Sequence, residues 1–246
     1  MFKKFFKPKQ LPTCKYLVVP DIHGMHSIYK RVEYIIKNRL EEDRVVIFLG
    51  DYMDRGESGE IYGKRFKDIG SYLVIRDIIK LKAWAQENQR EIIFLRGNHE
   101  IFFEDYYFGG NEFLYHKYPF FKNSIDALEF AFKKEKNLYH ELKLFLKDLK
   151  PYYLDSENRY LFIHAGVDPS INRLEAQIKH DSIYWIRDKF IYSDEVFDHT
   201  IIFGHTPFDE PFMKLDRIGL DSGIYESGYI NLLKIDNRSS QILKIS

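Results

Sequence analysis

The chain has 246 residues, with 37 Lys plus Arg against 37 Asp plus Glu. That length suffices for one well-buried domain, and the even balance leaves no overall field to attract nucleic acid or an anionic membrane. A single cysteine, Cys14, excludes an intramolecular disulfide and a Cys-rich structural zinc site, and it suits a reducing, cytoplasmic setting.

No apolar stretch reaches transmembrane length, so no stable membrane anchor is expected. Residues 1–13 read as a basic, aromatic tail. Tyr16-Leu-Val-Val19 is a short buried strand, closed by Pro20 and followed by Asp21-Ile-His-Gly24. From Met25 to about Leu40, Ile28, Val32, Ile35, Ile36 and Leu40 recur at helical spacing. Val45 to Leu49 is an apolar, β-branched run that stops at Gly50 and delivers Asp51, Asp54 and Arg55 at once. A polar loop with Gly59, Gly63 and Gly70 leads to a second helix carrying Val74, Ile78, Leu81 and Ala85 on one face. Glu91 to Leu95 is a third strand, ending in Arg96-Gly-Asn-His-Glu100.

This repeated order of strand, polar cluster and helix predicts βαβ units and a parallel sheet, whose ligands belong where strands end. Residues 102–150 break the rhythm. Aromatics crowd the first half, and Leu138, Leu142, Phe145, Leu146 and Leu149 lie in helical phase. A helical insertion packed beside the site is predicted, its aromatics mainly core, with the Gly109-Gly110-Asn111 turn nearest to substrate. Arg159 to Ile163 then ends in His164-Ala-Gly166, and Thr200 to Phe203 ends in Gly204-His205-Thr206. The stretch from Arg217 to Ile245 predicts antiparallel strands, a hairpin with Asp236-Asn237 at its turn among them. Nothing linker-like interrupts residues 1–246, so one domain is expected.

Just past the strand ends stand Asp21 and His23, Asp51 and Asp54, Asn98 and His99, His164, and His205. Imidazoles, carboxylates and an amide without thiolate suit divalent Mn, Fe, Zn, Co or Ni. Asp21 and His23, two apart on extended chain, point to one side and suit a single ion. Asp51, at the next strand end, is the natural bridge to a second ion completed by Asn98, His164 and His205. Such a set describes a two-metal site, with ions about 3.5–4 Å apart, that clamps an in-line displacement and supplies hydroxide without a protein base. His99, beside Asn98, is placed to protonate the leaving oxygen, and Asp54 to fix its tautomer. Arg55 and Arg187 can fork onto phosphate oxygens.

Pro20-Asp-Ile-His-Gly24, Gly50-Asp-Tyr-Met-Asp-Arg-Gly56, Gly97-Asn-His-Glu100, His164-Ala-Gly166 and Gly204-His-Thr206 together resemble the signature of the phosphoprotein phosphatases. These are the serine/threonine phosphatase branch of the calcineurin-like metallophosphoesterases. Trp185-Ile-Arg187 and Leu220-Asp-Ser-Gly223 are similar to bacterial and phage-lambda-type members. The resemblance spans about residues 16 to 236, leaving out most of the insertion.

That resemblance implies an α/β fold, a central β-sandwich of mixed sheets flanked by helices. It implies Asp21, His23 and Asp51 at one metal, and Asp51, Asn98, His164 and His205 at the other. Manganese is the first choice, with iron, zinc, cobalt or nickel as alternatives. His99 with Asp54 would be the acid pair, and Arg55 and Arg187 would hold phosphate. The implied activity is hydrolysis of phosphoserine and phosphothreonine, with phosphotyrosine as a further substrate, by metal-bound hydroxide and without a covalent intermediate. The implied partners are phosphorylated proteins or small phosphate esters.

Two departures stand out. The family usually has Gly where this chain has Pro20, which fixes φ and removes a donor. A Gly pair usually follows the last motif, whereas Ile224-Tyr-Glu-Ser-Gly228 intervenes here, so Asp221 reads as a turn-forming or supporting residue. An alternative function is hydrolysis of dinucleoside polyphosphates such as diadenosine tetraphosphate. The dinucleotide hydrolases resembling this family tend to lose the Asp of Asp54-Arg55-Gly56 and the Glu of Gly97-Asn-His-Glu100, and both are intact here. An inactive, metal-holding binding module is disfavoured by the complete ligand set, and a nucleic-acid phosphodiesterase by the lack of a basic stripe. His26, His116, His140, His180 and His199 read as surface or packing residues, and Glu100 as a structural residue or one that supports the metal ligands.

Overall fold

A computed structural model of the chain describes residues 15–157, 159–236 and 239–246. The N-terminal tail, Cys14 and Asn237 of the predicted turn lie outside the described residues. The first half runs β1 (Tyr16–Val19), α1 (His26–Asn38), β2 (Val45–Phe48), the hairpin β3 (Gly59–Ile61) and β4 (Lys64–Phe66), α2 (Gly70–Glu87) and β5 (Ile92–Phe94). The insertion follows as α3 (Asn98–Tyr107), α4 (Phe113–Lys117), α5 (Pro119–Lys134) and α6 (Leu138–Asp148). Next come β6 (Tyr152–Leu154), β7 (Tyr160–Ile163), the short helices α7 (Leu174–Lys179), α8 (Ser182–Trp185) and α9 (Asp188–Ile191), and β8 (Thr200–Phe203). The chain closes with β9 (Phe212–Lys214), β10 (Arg217–Gly219), α10 (Ile224–Ser227), β11 (Ile230–Asp236) and β12 (Ser239–Ile245).

Two mixed five-stranded sheets result, in the orders β12-β11-β1-β2-β5 and β6-β7-β8-β10-β9. β1, β2 and β5 are parallel, as the βαβ rhythm predicts. β11 joins β1 antiparallel, and β12 pairs with β11. In the second sheet β7, β8 and β10 are parallel, with β6 and β9 antiparallel at the edges. The Ile218 segment therefore differs from the antiparallel expectation. It lies parallel to β8 in the second sheet, and the antiparallel pairing it makes is with the short edge strand β9.

The strand sequences explain the layering. Tyr16, Val18, Ile47, Leu49, Ile93 and Leu95 face Phe162, Ile202, Ile218 and Leu220 between the sheets. The alternate residues Leu17, Val19, Val46 and Phe48 face the helices, among them Val32 of α1, Ile78 of α2 and Phe145 of α6. On the far side Leu161, Ile163, Ile201 and Phe203 pack on Ile183 and Phe190 of α8 and α9. Strands covered on both faces read as unbroken apolar runs, which is why they were legible. The architecture is helix, sheet, sheet, helix. The insertion's buried aromatics, Phe103, Phe121 and Phe145, extend the helical core, and partly buried ones such as Tyr106, Tyr107 and Phe132 pack against it. Among the described residues no helix is long and apolar enough to cross a membrane.

Candidate metal centre

The parallel strands of both sheets end at one place. β1 delivers Asp21 and His23, β2 delivers Asp51, Asp54 and Arg55, and β5 delivers Asn98 and His99 at the start of α3. From the other sheet, β7 delivers His164, β8 delivers His205 and β10 delivers Asp221. All but Arg55 are buried.

The backbone turns sharply here. Residues other than glycine rarely take positive φ, yet His23 (45°), Asp51 (52°), Asp54 (79°), Arg55 (63°) and His205 (62°) all do. The extended spacing expected for Asp21 and His23 is thus replaced by a left-handed residue at His23. Gly50 has φ 109°, and a Cβ built on it would lie 2.5 Å from the backbone nitrogen of Gly97. The loops after β2 and β5 therefore touch backbone to backbone, an approach only glycine permits. Glu100 locks them together. It accepts from the N–H groups of Asp51 (2.8 Å), Gly97 (2.9 Å) and Tyr52 (2.9 Å), which is the structural role expected of it.

The imidazoles are oriented by backbone carbonyls. Nδ1 of His23 bonds Met53 O (3.2 Å) and Nδ1 of His164 bonds Leu49 O (2.9 Å). With the proton on Nδ1, each Nε2 presents a lone pair. Nε2 of His23 lies 3.6 Å from Asp51 Oδ2, and Nε2 of His164 lies 3.5 Å from Asp51 Oδ1 and 2.9 Å from Asn98 Oδ1. His205 bonds the backbone of Trp185, and among the described residues its buried Nε2 has no hydrogen-bond partner. Asp51 Oδ1 also accepts from the backbone N–H of His99 at 3.0 Å.

Electron-pair donors packed this way repel one another, and the titration behaviour reflects it. Burial, then the Asp221 and Asp51 charges, pushes Asp21 well above the usual carboxylate range. Burial and the nearby Glu100 do the same to Asp51. Burial and neighbouring imidazoles and arginines hold His23 and His205 neutral, and burial takes His164 down to about 3. A cation would relieve all of these penalties at once.

Two triads fit such an ion. Ligand atoms of His23, Asp51 and His99 lie within 4.8 Å of one another, and so do those of Asp51, His164 and His205. Asp51 is common to both, the position read for it as a bridge. Asn98 adjoins the second triad through His164. Asp21 is in neither triad, and its two oxygens accept from the backbone N–H of His205 (3.1 and 3.0 Å), which leaves each with a further lone pair. His99 faces two ways: Nε2 is 4.0 Å from Asp51 Oδ2, while Nδ1 bonds Asp54 Oδ2 at 2.8 Å.

A cavity of about 450 Å³ opens over the cluster, walled by Arg55, Arg187, Phe102, Phe120, Trp185 and Tyr225. Arg55 lies between the rings of Phe120 (5.0 Å) and Tyr225 (4.7 Å), a cation–π clamp that sequence reasoning missed. Asp221 lines the cavity and also accepts from Gly223 N–H at 2.8 Å, so it does shape the turn. The Gly109-Gly110-Asn111 turn is absent from the lining. The insertion instead contributes Phe102 from α3, and Tyr118 and Phe120 from the start of α5.

With fold and site in view, comparison with known proteins gives a consistent picture. The sequence profile of the calcineurin-like phosphoesterases matches residues 14–234. The chain belongs to that family of hydrolases, which uses a dinuclear metal centre. It is 26% identical to the asymmetrical bis(5'-nucleosyl)-tetraphosphatase PrpE of Bacillus subtilis over 85% of either chain. It is also 26% identical to serine/threonine-protein phosphatase 2 of Salmonella typhimurium, over 89% of this chain and 91% of that one. Among solved structures, the cold-active protein-tyrosine phosphatase of a psychrophilic Shewanella aligns with a TM-score of 0.59 at 14% identity. That alignment covers 94% of this chain and 80% of the other. A protein serine/threonine phosphatase of Saccharomyces cerevisiae aligns at 0.57 and 16%, covering 95% and 80%. At such identities the structures speak for the fold.

Metal binding should show in stability. Raised carboxylates stabilise the metal-free fold below their unfolded pKa, near 4, and that contribution is lost as pH rises through the raised folded values. Divalent ions reverse the loss, because they need those carboxylates charged. The lowered imidazoles cost stability only as pH falls below about 6.5, in metal-free and loaded protein alike. Saturating manganese should therefore raise Tm by about 5–10 °C at pH 7.5 and by less than half that at pH 5.5. Thermal unfolding with and without chelator measures it, and equal shifts at both pH values would contradict this account.

Proposed function

We propose that the chain is a metal-dependent phosphomonoesterase acting on phosphoserine and phosphothreonine in proteins. The observation that carries this reading is the buried hydrogen bond between His99 and Asp54 at the cavity wall. A serine or threonine alkoxide is a poor leaving group and needs a proton as it departs. A polyphosphate leaves as a stable anion and needs little such help.

His23 and Asp21 beside Asp51, with Asn98, His164 and His205 on its other side, would hold two divalent ions. Such a pair lowers the pKa of a water and offsets charge on phosphoryl oxygens. Manganese suits the oxygen and nitrogen donors. Arg55, held by its aromatic clamp, and Arg187 line the cavity, where the charges of both act on Asp221, and each guanidinium group can fork onto a phosphate.

In the substrate-free protein, burial and then Arg55 and Arg187 lower His99 to about 3, while burial raises Asp54 to about 7. A phosphate dianion between the arginines cancels their repulsion of an imidazolium. Such a phosphate favours the protonated imidazole that a general acid needs, and Asp54 steadies that charge.

Hydrolysis of p-nitrophenyl phosphate, a phosphoserine peptide and diadenosine tetraphosphate in parallel, with and without manganese, tests the reading. Manganese-dependent turnover of the phosphopeptide supports it; turnover of the dinucleotide alone overturns it. The second reading, a dinucleoside polyphosphate hydrolase, draws on the aromatic wall of Phe102, Tyr118, Trp185 and Tyr225, which offers faces for a base to stack on. Arg187→Ala should raise KM for the phosphopeptide about 10-fold or more, with a smaller effect on kcat, by loss of a charge-assisted contact. Steady-state kinetics and inhibition by inorganic phosphate check it; unchanged values for both would remove Arg187 from the phosphate site.

A further inference from the structure

Helix α5 of the insertion reaches the site twice. Phe120 lies against Arg55, and one turn later the fully buried Ser124 reaches Asp54. Ser124 Oγ is 2.5 Å from Asp54 Oδ1 and 2.8 Å from Asp68 Oδ2, with Phe120 O at 3.1 Å. The hydroxyl has one hydrogen to give.

Asp68 does not need it. Gly56 N–H (2.9 Å) and Ser71 Oγ (2.8 Å) already serve its Oδ2, and Ser71 N–H (2.9 Å) serves its Oδ1. Asp54 differs. Its Oδ2 is engaged by His99 Nδ1, and its backbone N–H donates to Ser71 Oγ at 2.7 Å. Among the described residues, Oδ1 of Asp54 meets no donor other than Ser124. The hydrogen therefore goes to Asp54.

We propose that Ser124 is a positioning residue for the proton-donating pair. Rotation of a carboxylate about its terminal torsion is soft, so packing alone does not fix it. A bond to Oδ1 sets that rotation, presents Oδ2 to His99 Nδ1, and leaves the His99 Nε2 edge toward the cavity. Small misplacements at a reacting group are costly, which gives the buried bond its use. The insertion thereby serves as a brace for the leaving-group proton. This assignment rests on the reading of His99 as the acid.

The test compares kcat on phenyl phosphate, a poor leaving group, with kcat on 2,4-dinitrophenyl phosphate, a good one, in the manganese-loaded full chain. Ser124→Ala should lower that ratio about 10-fold, the effect of losing a hydrogen bond to a charged group. Ser124→Thr, which keeps the hydroxyl, should restore most of it. Independently of catalysis, in protein loaded with diamagnetic zinc in place of manganese, the low-field proton resonance of His99 Nδ1–H, identified by its loss in His99→Asn, should shift or broaden in Ser124→Ala. An equal fall on both substrates with an unmoved resonance would show that Ser124 only fills space, and would overturn the proposal. If His99→Asn leaves the ratio unchanged, the acid reading has failed, and the resonance alone decides whether Ser124 holds Asp54. Should Ser124→Ala fold poorly, Ser124→Cys, with a weak donor of similar size, gives the same two readouts.

Discussion

Replacing Asp51 by Asn should strip the protein of bound divalent metal and lower kcat/KM on p-nitrophenyl phosphate by about 10³-fold. The carboxylate is common to both triads, so one substitution removes negative charge from each. Metal stabilisation of phosphoryl charge amounts to several kcal/mol, and each 1.36 kcal/mol is tenfold in rate. The fold should survive, because the main-chain bonds of this loop, Ile22 N–H and His23 N–H to Asp51 O, do not involve the side chain. Metal analysis of the dialysed variant beside wild type is the direct measurement. Two full equivalents in the variant would show that the bridge lies elsewhere.

His99→Asn should behave differently. Metal content should remain near that of wild type, while kcat on a phosphoserine peptide falls by about 10²–10⁴-fold, the range for loss of a general acid. The fall on p-nitrophenyl phosphate should be far smaller, because its leaving group departs without a proton. Asp54→Asn should move in the same direction, since an amide can no longer steady an imidazolium across the 2.8 Å bond. His99 also lies within one triad, which gives the alternative its own signature. Loss of one metal equivalent with equal damage on both substrates would make His99 a ligand and not the acid.

Much of this site was legible because it sits on strand ends. Val45 to Leu49 and Tyr160 to Ile163 are covered on both faces, so each appears as an apolar run that stops where chemistry begins. Asp51, Asn98, His164 and His205 follow such stops and do converge. What was hidden has physical reasons. Positive φ at His23 and Asp51 leaves no trace in spacing, so the side-by-side argument for Asp21 and His23 misjudged the backbone. The aromatic clamp on Arg55 joins residues far apart in the chain, and no local pattern pairs them.

Ser124 did carry a signal. It is a polar residue on the buried face of α5, in phase with Phe121 and Leu128, and such a residue needs a partner. The parallel course of β10 was unreadable locally, because its three residues pair with β8 only through the tertiary fold.

Asp21 and His205 stand 184 positions apart, yet a carboxylate on the first sheet accepts directly from a main-chain amide on the second. Divalent ions at this seam would act as a clasp between halves that are synthesised at different times. An emerging polypeptide carries Asp21, His23, Asp51 and Asn98 well before His205 exists, so cofactor capture is expected to be a closing step of assembly. Withdrawing the ions from the finished protein should let the two halves breathe first along this join, with early deuterium uptake at the amide of His205, while the outer helices stay protected.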